Sequence, residues 1–190
     1  MTAAHHSRLV LGGARSGKSR YALEQARQAA QSVAFVATAR ALDSDMTARI
    51  ARHRAERPSR WTTIEAPSDV AAACRRAATS HDLIVVDCAT IWVSNLMERD
   101  DDAAVLSAAD ELAKLMRERL ATLIIVSNEV GSGVHPPTAV GRRFRDLLGS
   151  VNQRLAAAAD RVTLMVAGIP LTIKDEPLPT APHVRPPEAP

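Results

Sequence analysis

The first segment with recognisable chemistry is the glycine-rich run at residues 12–19, Gly12-Gly13-Ala14-Arg15-Ser16-Gly17-Lys18-Ser19. It satisfies the pattern G-x-x-x-x-G-K-S, follows a short apolar run and precedes a helical pattern. Backbone N–H groups in such a loop point at phosphate oxygens, the helix N-terminus adds its positive end, and Lys18 adds a full charge. The segment therefore predicts a nucleotide phosphate site in which Ser19 ligates Mg²⁺. A turn that merely joins strand and helix is disfavoured, because four specified positions occur in the right context.

Two carboxylates follow buried strand patterns and are candidates for the same site. Asp87 comes directly after the apolar run 83–86 and is the better candidate for the acidic ligand of the metal. Glu129 follows a second apolar run, in the segment 127–131, and is as readily a turn residue as a site residue. Ligands of open α/β sheets bind at the carboxyl ends of strands, where both residues are expected. A helix cap or turn remains the alternative for Asp87.

A third candidate is a histidine within a run of arginines. Residues 49–60 contain five arginines, one histidine and one glutamate, a composition that suits an anion site. Like charge disfavours protonation of an imidazole among guanidiniums, and a neutral ring nitrogen is a nucleophile. His53 could then attack a nucleotide α-phosphate and carry the nucleotidyl group covalently. On composition alone, a solvated helix face with incidental charge is the slightly favoured interpretation.

These residues require a sheet to bring them together. Short β-branched runs at 8–11, 32–37, 61–65, 83–87, 122–127, 161–166 and 171–173 predict strands. Helical patterns at 18–31, 46–54, 68–79, 103–120 and 139–159 separate them, and Thr138 is a suitable cap for the last. The alternation predicts an α/β fold with a mostly parallel sheet flanked by helices. Together with the phosphate loop, it indicates a P-loop NTPase fold of the RecA-like kind.

Length and composition restrict the classes of protein to consider. The chain has 190 residues, 46% hydrophobic and 24% charged, with a formal net charge of +3. This suits a single catalytic domain over residues 1–174 and gives no basic excess that would favour nucleic acid as a partner. Residues 175–190 hold six of the eleven prolines and are expected to form an extended or disordered tail. No apolar run is long enough for a membrane span, no secretory signal is evident, and two cysteines fit a reducing compartment, so we expect a cytoplasmic protein.

Several blocks of motif residues occur in order along the sequence. They are residues 12–19, His53 with Arg57-Pro58, residues 87–92 with Asn95-Leu96, residues 127–131, and Phe144-Arg145-Asp146 followed by Gly149, Asn152-Gln153 and Ala159-Asp160. With these blocks, the sequence from about residue 9 to 174 resembles the bifunctional adenosylcobinamide kinase / adenosylcobinamide-phosphate guanylyltransferases of cobalamin biosynthesis. Residue 52 is an arginine where relatives can carry a second histidine, which leaves His53 as the nearby candidate nucleophile.

The resemblance implies a two-step enzyme. The family phosphorylates adenosylcobinamide with ATP or GTP, then transfers GMP from GTP to that phosphate through a guanylyl-histidine, giving adenosylcobinamide-GDP and pyrophosphate. The corrinoid is then the substrate partner, GTP, ATP and Mg²⁺ are the cofactors, and a homo-oligomer, in the family a trimer, is expected. Lys18 and His53 take the catalytic roles, and Ser19 and Asp87 the metal. The remaining nucleotide contacts implied are Gly12, Gly13, Ala14, Arg15, Ser16, Gly17, Ala37, Thr38, Ala39, Arg54, Ala55, Glu56, Arg57 and Glu65.

Two other functions remain open at this point. A simple P-loop kinase of a small metabolite would use His53 only to bind substrate. A RecA-like ATPase module could contact nucleic acid through Arg142, Arg143 and Arg145, although that cluster has Phe144 alone as an interleaved aromatic residue. Covalent labelling by GTP separates the guanylyltransferase from both.

Overall fold

The computed structural model describes residues 5–30, 32–41 and 43–176. The strands are β1 (Ser7–Gly12), β2 (Val33–Ala37), β3 (Thr62–Glu65), β4 (Leu83–Asp87), β5 (Thr122–Val126), β6 (Arg161–Val166) and β7 (Ile169–Asp175). Within the described ranges they form a seven-stranded sheet in the order β3-β2-β4-β5-β1-β6-β7. Strands β1 to β6 are parallel, and β7 runs antiparallel to β6 at one edge. The predicted fold class is confirmed.

Helices connect the strands. They are α1 (Lys18–Ala29), α2 (Ser44–Ala55), α3 (Val70–Ala77), α4 (Ala89–Met97), α5 (Asp102–Glu118) and α6 (Ala139–Ala158). The sequence patterns missed α4, because most of its residues are buried and no polar stripe marks an exposed face. Helix α6 begins as predicted: Thr138 precedes it, and its side chain accepts a hydrogen bond from the Gly141 N–H at 3.1 Å.

Apolar side chains cover both faces of the sheet. In β4, Leu83 and Val85 belong to one buried cluster, and Ile84 and Val86 belong to the other. Helix α1 packs on the first face through residues that include Leu23, whereas α3, α4, α5 and α6 pack on the second. Burial on both faces explains why β4 and β5 read as continuous apolar runs.

At two places along the carboxyl edge of the sheet, neighbouring strands lead into helices that lie on opposite faces of the sheet. Strand β1 leads into α1 on the first face, and its neighbour β5 leads into α6 on the second. Because parallel crossovers are right-handed, β2 leads into α2 on the first face, whereas its neighbour β4 leads into α4 on the second. A crevice for ligands opens where neighbouring connections leave on opposite faces. The edge therefore has two such crevices, one between β1 and β5 and one between β2 and β4.

The ends of the chain differ in part from expectation. Strand β7 is longer than the predicted 171–173 and includes Asp175, which the sequence assigned to the tail; its carboxylate accepts hydrogen bonds from Arg161 at 2.6 and 3.0 Å. Glu176 of the predicted tail is also described, and its N–H donates to the Asp160 carbonyl at 2.8 Å. Residues 177–190 of that tail lie outside the described residues, as does Gln31 at the end of the first predicted helix. In the part of the chain that the structure describes, no helix is both long and apolar enough to cross a membrane.

Candidate active site

The glycine-rich segment forms the loop between β1 and α1. Gly12 has φ +151°, and a Cβ there would lie 2.6 Å from the Met165 carbonyl oxygen and 2.6 Å from Ser16 Oγ. Gly17 has φ +94° and caps the start of α1. These two glycines turn the chain out of the strand and into the helix, because a side chain would clash at the first and be strained at the second. Loop N–H groups are thereby brought to the N-terminus of α1, where anions bind.

The protein itself holds this loop in shape. Lys18 is only 8% exposed, and its ammonium group donates a hydrogen bond to the Gly13 carbonyl. From the turn between β6 and β7, the Gly168 N–H donates to the Ser16 carbonyl at 3.0 Å. The Ser16 Oγ is buried without a hydrogen-bond partner among the described residues. This loop, residues 12–19, is called the cradle below. It is thus preorganised, with the buried Lys18 ammonium group and the unsatisfied Ser16 hydroxyl at its base.

The strand-end residues predicted to contact nucleotide occupy one row of the sheet. Ala37 of β2 pairs in register with Glu65 of β3 on one side and with Asp87 of β4 on the other. Thr38 Oγ1 accepts from the Cys88 N–H at 2.8 Å and donates to the Cys88 carbonyl at 2.9 Å. These bonds tie the ends of β2 and β4 together and fix the floor of the crevice between them.

His53, on the last turn of α2, faces that crevice. Its Nδ1 lies 3.9 Å from Asp87 Oδ2, so the structure brings together two residues that are 34 positions apart in the sequence. A carboxylate therefore lies close to the ring, although the local sequence suggested guanidiniums alone. A carboxylate on the Nδ1 side favours the tautomer in which Nε2 has the free lone pair.

Arg57 connects α2 to the sheet. Its Nε donates to the His53 carbonyl at 3.0 Å, its Nη1 donates to Thr63 Oγ1 at 3.2 Å, and its guanidinium stacks 4.0 Å from the centre of the Phe35 ring. Burial and then the charge of Arg54 lower the pKa of Arg57, while Asp87 opposes them. In contrast, the implied contacts Arg54, Ala55 and Glu56 are exposed.

Cys88 lies next to Asp87 but is unsuited to act as a nucleophile. Burial, together with the charge of Asp87, raises the pKa of its thiol to about 11. The thiol is then neutral at physiological pH, and a thiol attacks as its thiolate. His53 is therefore the better nucleophile in this crevice.

The metal ligands implied by the resemblance are not on neighbouring strands. Ser19 is in the first turn of α1, after β1, whereas Asp87 ends β4, and β5 lies between those two strands. Because adjacent strands lie about 4.8 Å apart, the ends of β1 and β4 are roughly 10 Å apart. The carboxylate that follows the intervening strand is Glu129, whose N–H donates to the Gly12 carbonyl at 3.1 Å.

Three polar side chains beneath the edge had no assigned role in the sequence. Asn95 donates to the carbonyls of Thr38 and Pro67 at 2.8 and 2.9 Å, and Thr90 and Asn152 bond the segment after β5. Thr90 and Asn95 are buried polar residues on the largely apolar α4, which is the signal that could have revealed them, and Asn152 is a buried polar residue on α6. Trp92, by contrast, is a core residue, 1% exposed, with its indole N–H on the Ser68 carbonyl at 2.7 Å.

Comparisons with known proteins identify the family of the chain. Residues 8–173 match the family model described as cobinamide kinase / cobinamide phosphate guanyltransferase. The bifunctional adenosylcobalamin biosynthesis protein CobP of Pseudomonas aeruginosa is 43% identical over 170 residues, which cover 90% of this chain and 98% of that protein. The bifunctional adenosylcobalamin biosynthesis protein CobU of Salmonella typhimurium is 40% identical over 179 residues, which cover 87% of this chain and 98% of that protein. A crystal structure of the RadB recombinase aligns at 19% identity over 84% of this chain and 73% of its own, with a TM-score of 0.46. By the family model and these two relatives, the chain belongs to the cobinamide kinase / cobinamide phosphate guanyltransferase family, as its sequence blocks indicated.

Proposed function

We propose that this chain phosphorylates adenosylcobinamide with ATP or GTP and then transfers GMP from GTP to adenosylcobinamide phosphate. The products of the second step are adenosylcobinamide-GDP and pyrophosphate. The observation that carries the proposal is the 3.9 Å separation between His53 Nδ1 and Asp87 Oδ2, on the sheet edge that also bears the phosphate loop. With the β and γ groups of a triphosphate in the loop, we propose that His53 meets the α-phosphate at this edge.

His53 would carry the guanylyl group between two half-reactions. Its free ring nitrogen attacks the α-phosphorus of GTP, a P–N bond forms, and the bond from that phosphorus to the pyrophosphate oxygen breaks. A phosphate oxygen of the corrinoid substrate then attacks the same phosphorus, and the P–N bond breaks with the electron pair returning to the imidazole. Both nucleophiles act without losing a proton in the step, since a neutral imidazole and an ionised phosphate each have a lone pair available.

Positive charge around this path lowers the cost of bringing phosphates together. Lys18 and the loop N–H groups would neutralise the departing β and γ oxygens. Arg54 and Arg57 flank His53 and would screen the repulsion between the α-phosphate and the incoming substrate phosphate. We assign the remaining nucleotide contacts to the same loop, the same edge and the end of α2, namely Gly12, Gly13, Ala14, Arg15, Ser16, Gly17, Ala37, Thr38, Ala39, Ala55, Glu56 and Glu65.

We assign a Mg²⁺ ion to Ser19 and Asp87. A hydroxyl and a carboxylate are oxygen donors of the kind that Mg²⁺ prefers, and this ion usually completes its shell with water and substrate phosphates. When bound, the ion would supply charge neutralisation of the phosphate oxygens.

We also propose that residues 1–174 act as one catalytic domain in a cytoplasmic homo-oligomer, a trimer as the family resemblance implies. Support comes from the edge strand β7, where Ile169, Leu171 and Ile173 are 69%, 57% and 58% exposed. An apolar strip on an edge strand is costly in water and suits contact with another subunit. Light scattering on a size-exclusion column would measure the subunit number directly.

The test is turnover of both substrates by the purified chain. With ATP and adenosylcobinamide we expect ADP and adenosylcobinamide phosphate, and with GTP and adenosylcobinamide phosphate we expect pyrophosphate and adenosylcobinamide-GDP. Kinase activity without pyrophosphate release would instead identify a simple P-loop kinase. Failure of both reactions, with nucleotide bound, would overturn the proposal.

A further inference from the structure

The crevice between β1 and β5 has its own carboxylate, which the guanylyl transfer does not use. Glu129 follows β5, the strand that lies directly beside β1 in the sheet. Its side chain is exposed at the carboxyl edge, and its N–H donates to the carbonyl of Gly12, the first residue of the phosphate loop, at 3.1 Å. The carboxylate therefore belongs to a residue whose backbone is hydrogen-bonded to the cradle.

Hydrogen bonds hold this segment in place from several sides. Asn152 on α6 accepts from Ser127 Oγ at 2.7 Å and donates to the Asn128 carbonyl at 2.9 Å. From α4, Thr90 Oγ1 accepts from the Asn128 N–H at 2.8 Å. Two helices thus fix the backbone on which Glu129 stands, so the position of the side chain does not depend on a mobile loop.

The carboxylate itself is held by the residue two positions later. Glu129 Oε1 accepts from the Gly131 N–H at 2.7 Å, and a Cβ on Gly131 would lie 2.9 Å from that same oxygen. The glycine therefore permits a compact turn that orients the carboxylate. One oxygen is engaged in the turn, and the other is available to a ligand in the crevice.

The kinase step requires a group of this kind, whereas guanylyl transfer does not. A hydroxyl must lose its proton as its oxygen attacks the γ-phosphorus, and a positioned carboxylate can accept that proton. The γ-phosphate of a bound nucleotide would lie at the loop that follows β1. Among the acids that end strands at this edge, Asp87 is two strands from β1 and faces His53, and Glu65 is four strands from β1.

We propose that Glu129 is the catalytic base of the kinase step, a role that rests on the function proposed above. The substrate hydroxyl oxygen forms a bond to the γ-phosphorus, and the bond from that phosphorus to the β–γ bridging oxygen breaks, releasing the nucleoside diphosphate. The hydroxyl proton passes to the free oxygen of Glu129. Because the side chain is exposed, the proton then leaves to water.

The experiment compares Glu129→Gln with the wild type in both reactions. We expect the kinase kcat to fall about 10²- to 10⁴-fold, the usual contribution of a general base. We expect guanylyl transfer to adenosylcobinamide phosphate to stay within about threefold, because its nucleophile is already ionised. The retained second activity also shows that the variant is folded. Glu111→Gln, an exposed carboxylate on α5, is the matched control and should leave both rates unchanged.

Three outcomes would overturn the role. A Glu129→Gln variant with kinase activity within threefold of an active wild type would mean that another group takes the proton. Equal losses in both reactions, or weaker binding of a fluorescent GTP analogue, would mean that Glu129 shapes the loop instead. A wild-type protein that forms adenosylcobinamide-GDP from the phosphate but never phosphorylates adenosylcobinamide would remove the kinase half of the proposed function together with this role.

Discussion

Helices α1 and α2 both bear catalytic candidates, but the sheet holds them differently. Helix α1 buries Lys18, Ala22, Leu23 and Ala26. Among the described side chains of α2 none is fully buried, and His53 is only half-buried. Full burial of one leucine-sized side chain is worth roughly 1.5–3 kcal/mol. The phosphate loop therefore precedes a helix fixed in the core, whereas His53, the proposed nucleophile, is on a helix held mainly at its ends.

The contacts at the ends of α2 are polar. Asp43 caps its start by accepting from the Met46 N–H at 2.7 Å. At its other end, Arg57 bonds the His53 carbonyl, and Arg27 bonds the Glu56 carbonyl. Such a helix can shift at a small cost in free energy. The difference suits a division of labour in which a rigid cradle binds phosphate and a more loosely held histidine serves two partners in turn.

The largest effect on activity is expected from a change at the start of α1, in the rigid phosphate loop. Lys18→Ala should reduce both kinase and guanylyltransferase kcat/KM by about 10³-fold or more, because both reactions place phosphates in the one loop and lose its buried charge. Steady-state assays of the two reactions measure this. Arg20→Ala, an exposed residue on the same helix, is the control. Loss of one activity alone would mean that the two reactions use different phosphate sites.

A second test of this rigid region measures how the stability of the protein depends on pH, through the contact between Asp160 and the start of β1. Burial alone would raise the pKa of Asp160, but hydrogen bonds from Ser7 and Arg119 outweigh burial and lower it. A lowered pKa in the folded state contributes stability above the ordinary aspartate value, and that stability is lost as pH falls toward the lower folded value. The wild type should therefore lose stability steeply below about pH 4. Asp160→Asn should cost about 1–3 kcal/mol at pH 7 and flatten that slope.

Melting curves from pH 3 to pH 8 measure both effects. Parallel curves for the wild type and Asp160→Asn would show that the carboxylate is not held in its charged form by the fold. Any loss of activity in this variant should affect both reactions equally, because β1 leads into the one phosphate loop.

The smallest effect on stability is expected from removing a helix cap, and two caps can be compared directly. Asp43 caps α2 and Asp101 caps α5, each through a similar bond to a backbone N–H. Removing a cap costs about 1 kcal/mol, or about 2–4 °C in a protein of this size when the helix unfolds with the whole. We expect Asp101→Ala to lower the melting temperature by that amount. Asp43→Ala should lower it by less than about 1 °C, because α2 is loosely packed and can unfold without the rest of the protein.

In this pair, the variant with the smaller loss of stability should have the larger loss of activity. Fraying of α2 displaces His53, so Asp43→Ala should slow guanylyl transfer several-fold and leave the kinase rate within about twofold, whereas Asp101→Ala should spare both. Equal melting shifts for the two variants would show that α2 is as firmly packed as α5, and the contrast between the helices would then fail.

The parts of this molecule that are local in sequence were predictable. The phosphate loop is one strand, one turn and the start of one helix, so its eight residues define it without knowledge of the fold. The apolar runs of β4 and β5 likewise indicated central strands. The cap at Thr138 needed only its own helix pattern.

The parts that depend on strand order were not predictable. Nothing in the run of residues 49–60 shows that His53 faces Asp87, because that contact requires β2 and β4 to be neighbours. The proximity of Glu129 to the loop likewise follows from β5 lying beside β1. Helix α4 was missed because its burial removes the polar face on which a helix pattern depends. For His53, family resemblance supplied the role that local chemistry had left open.

The most direct test of the central claim is the site of the covalent adduct. The wild-type protein is incubated with GTP and Mg²⁺ without corrinoid, digested at neutral or basic pH to preserve a P–N bond, and mapped by mass spectrometry. We expect one GMP adduct, acid-labile and base-stable, on the peptide that contains His53, and none in His53→Ala, which should keep its kinase activity. An adduct on any other residue, or labelling that persists in His53→Ala, would contradict the claim.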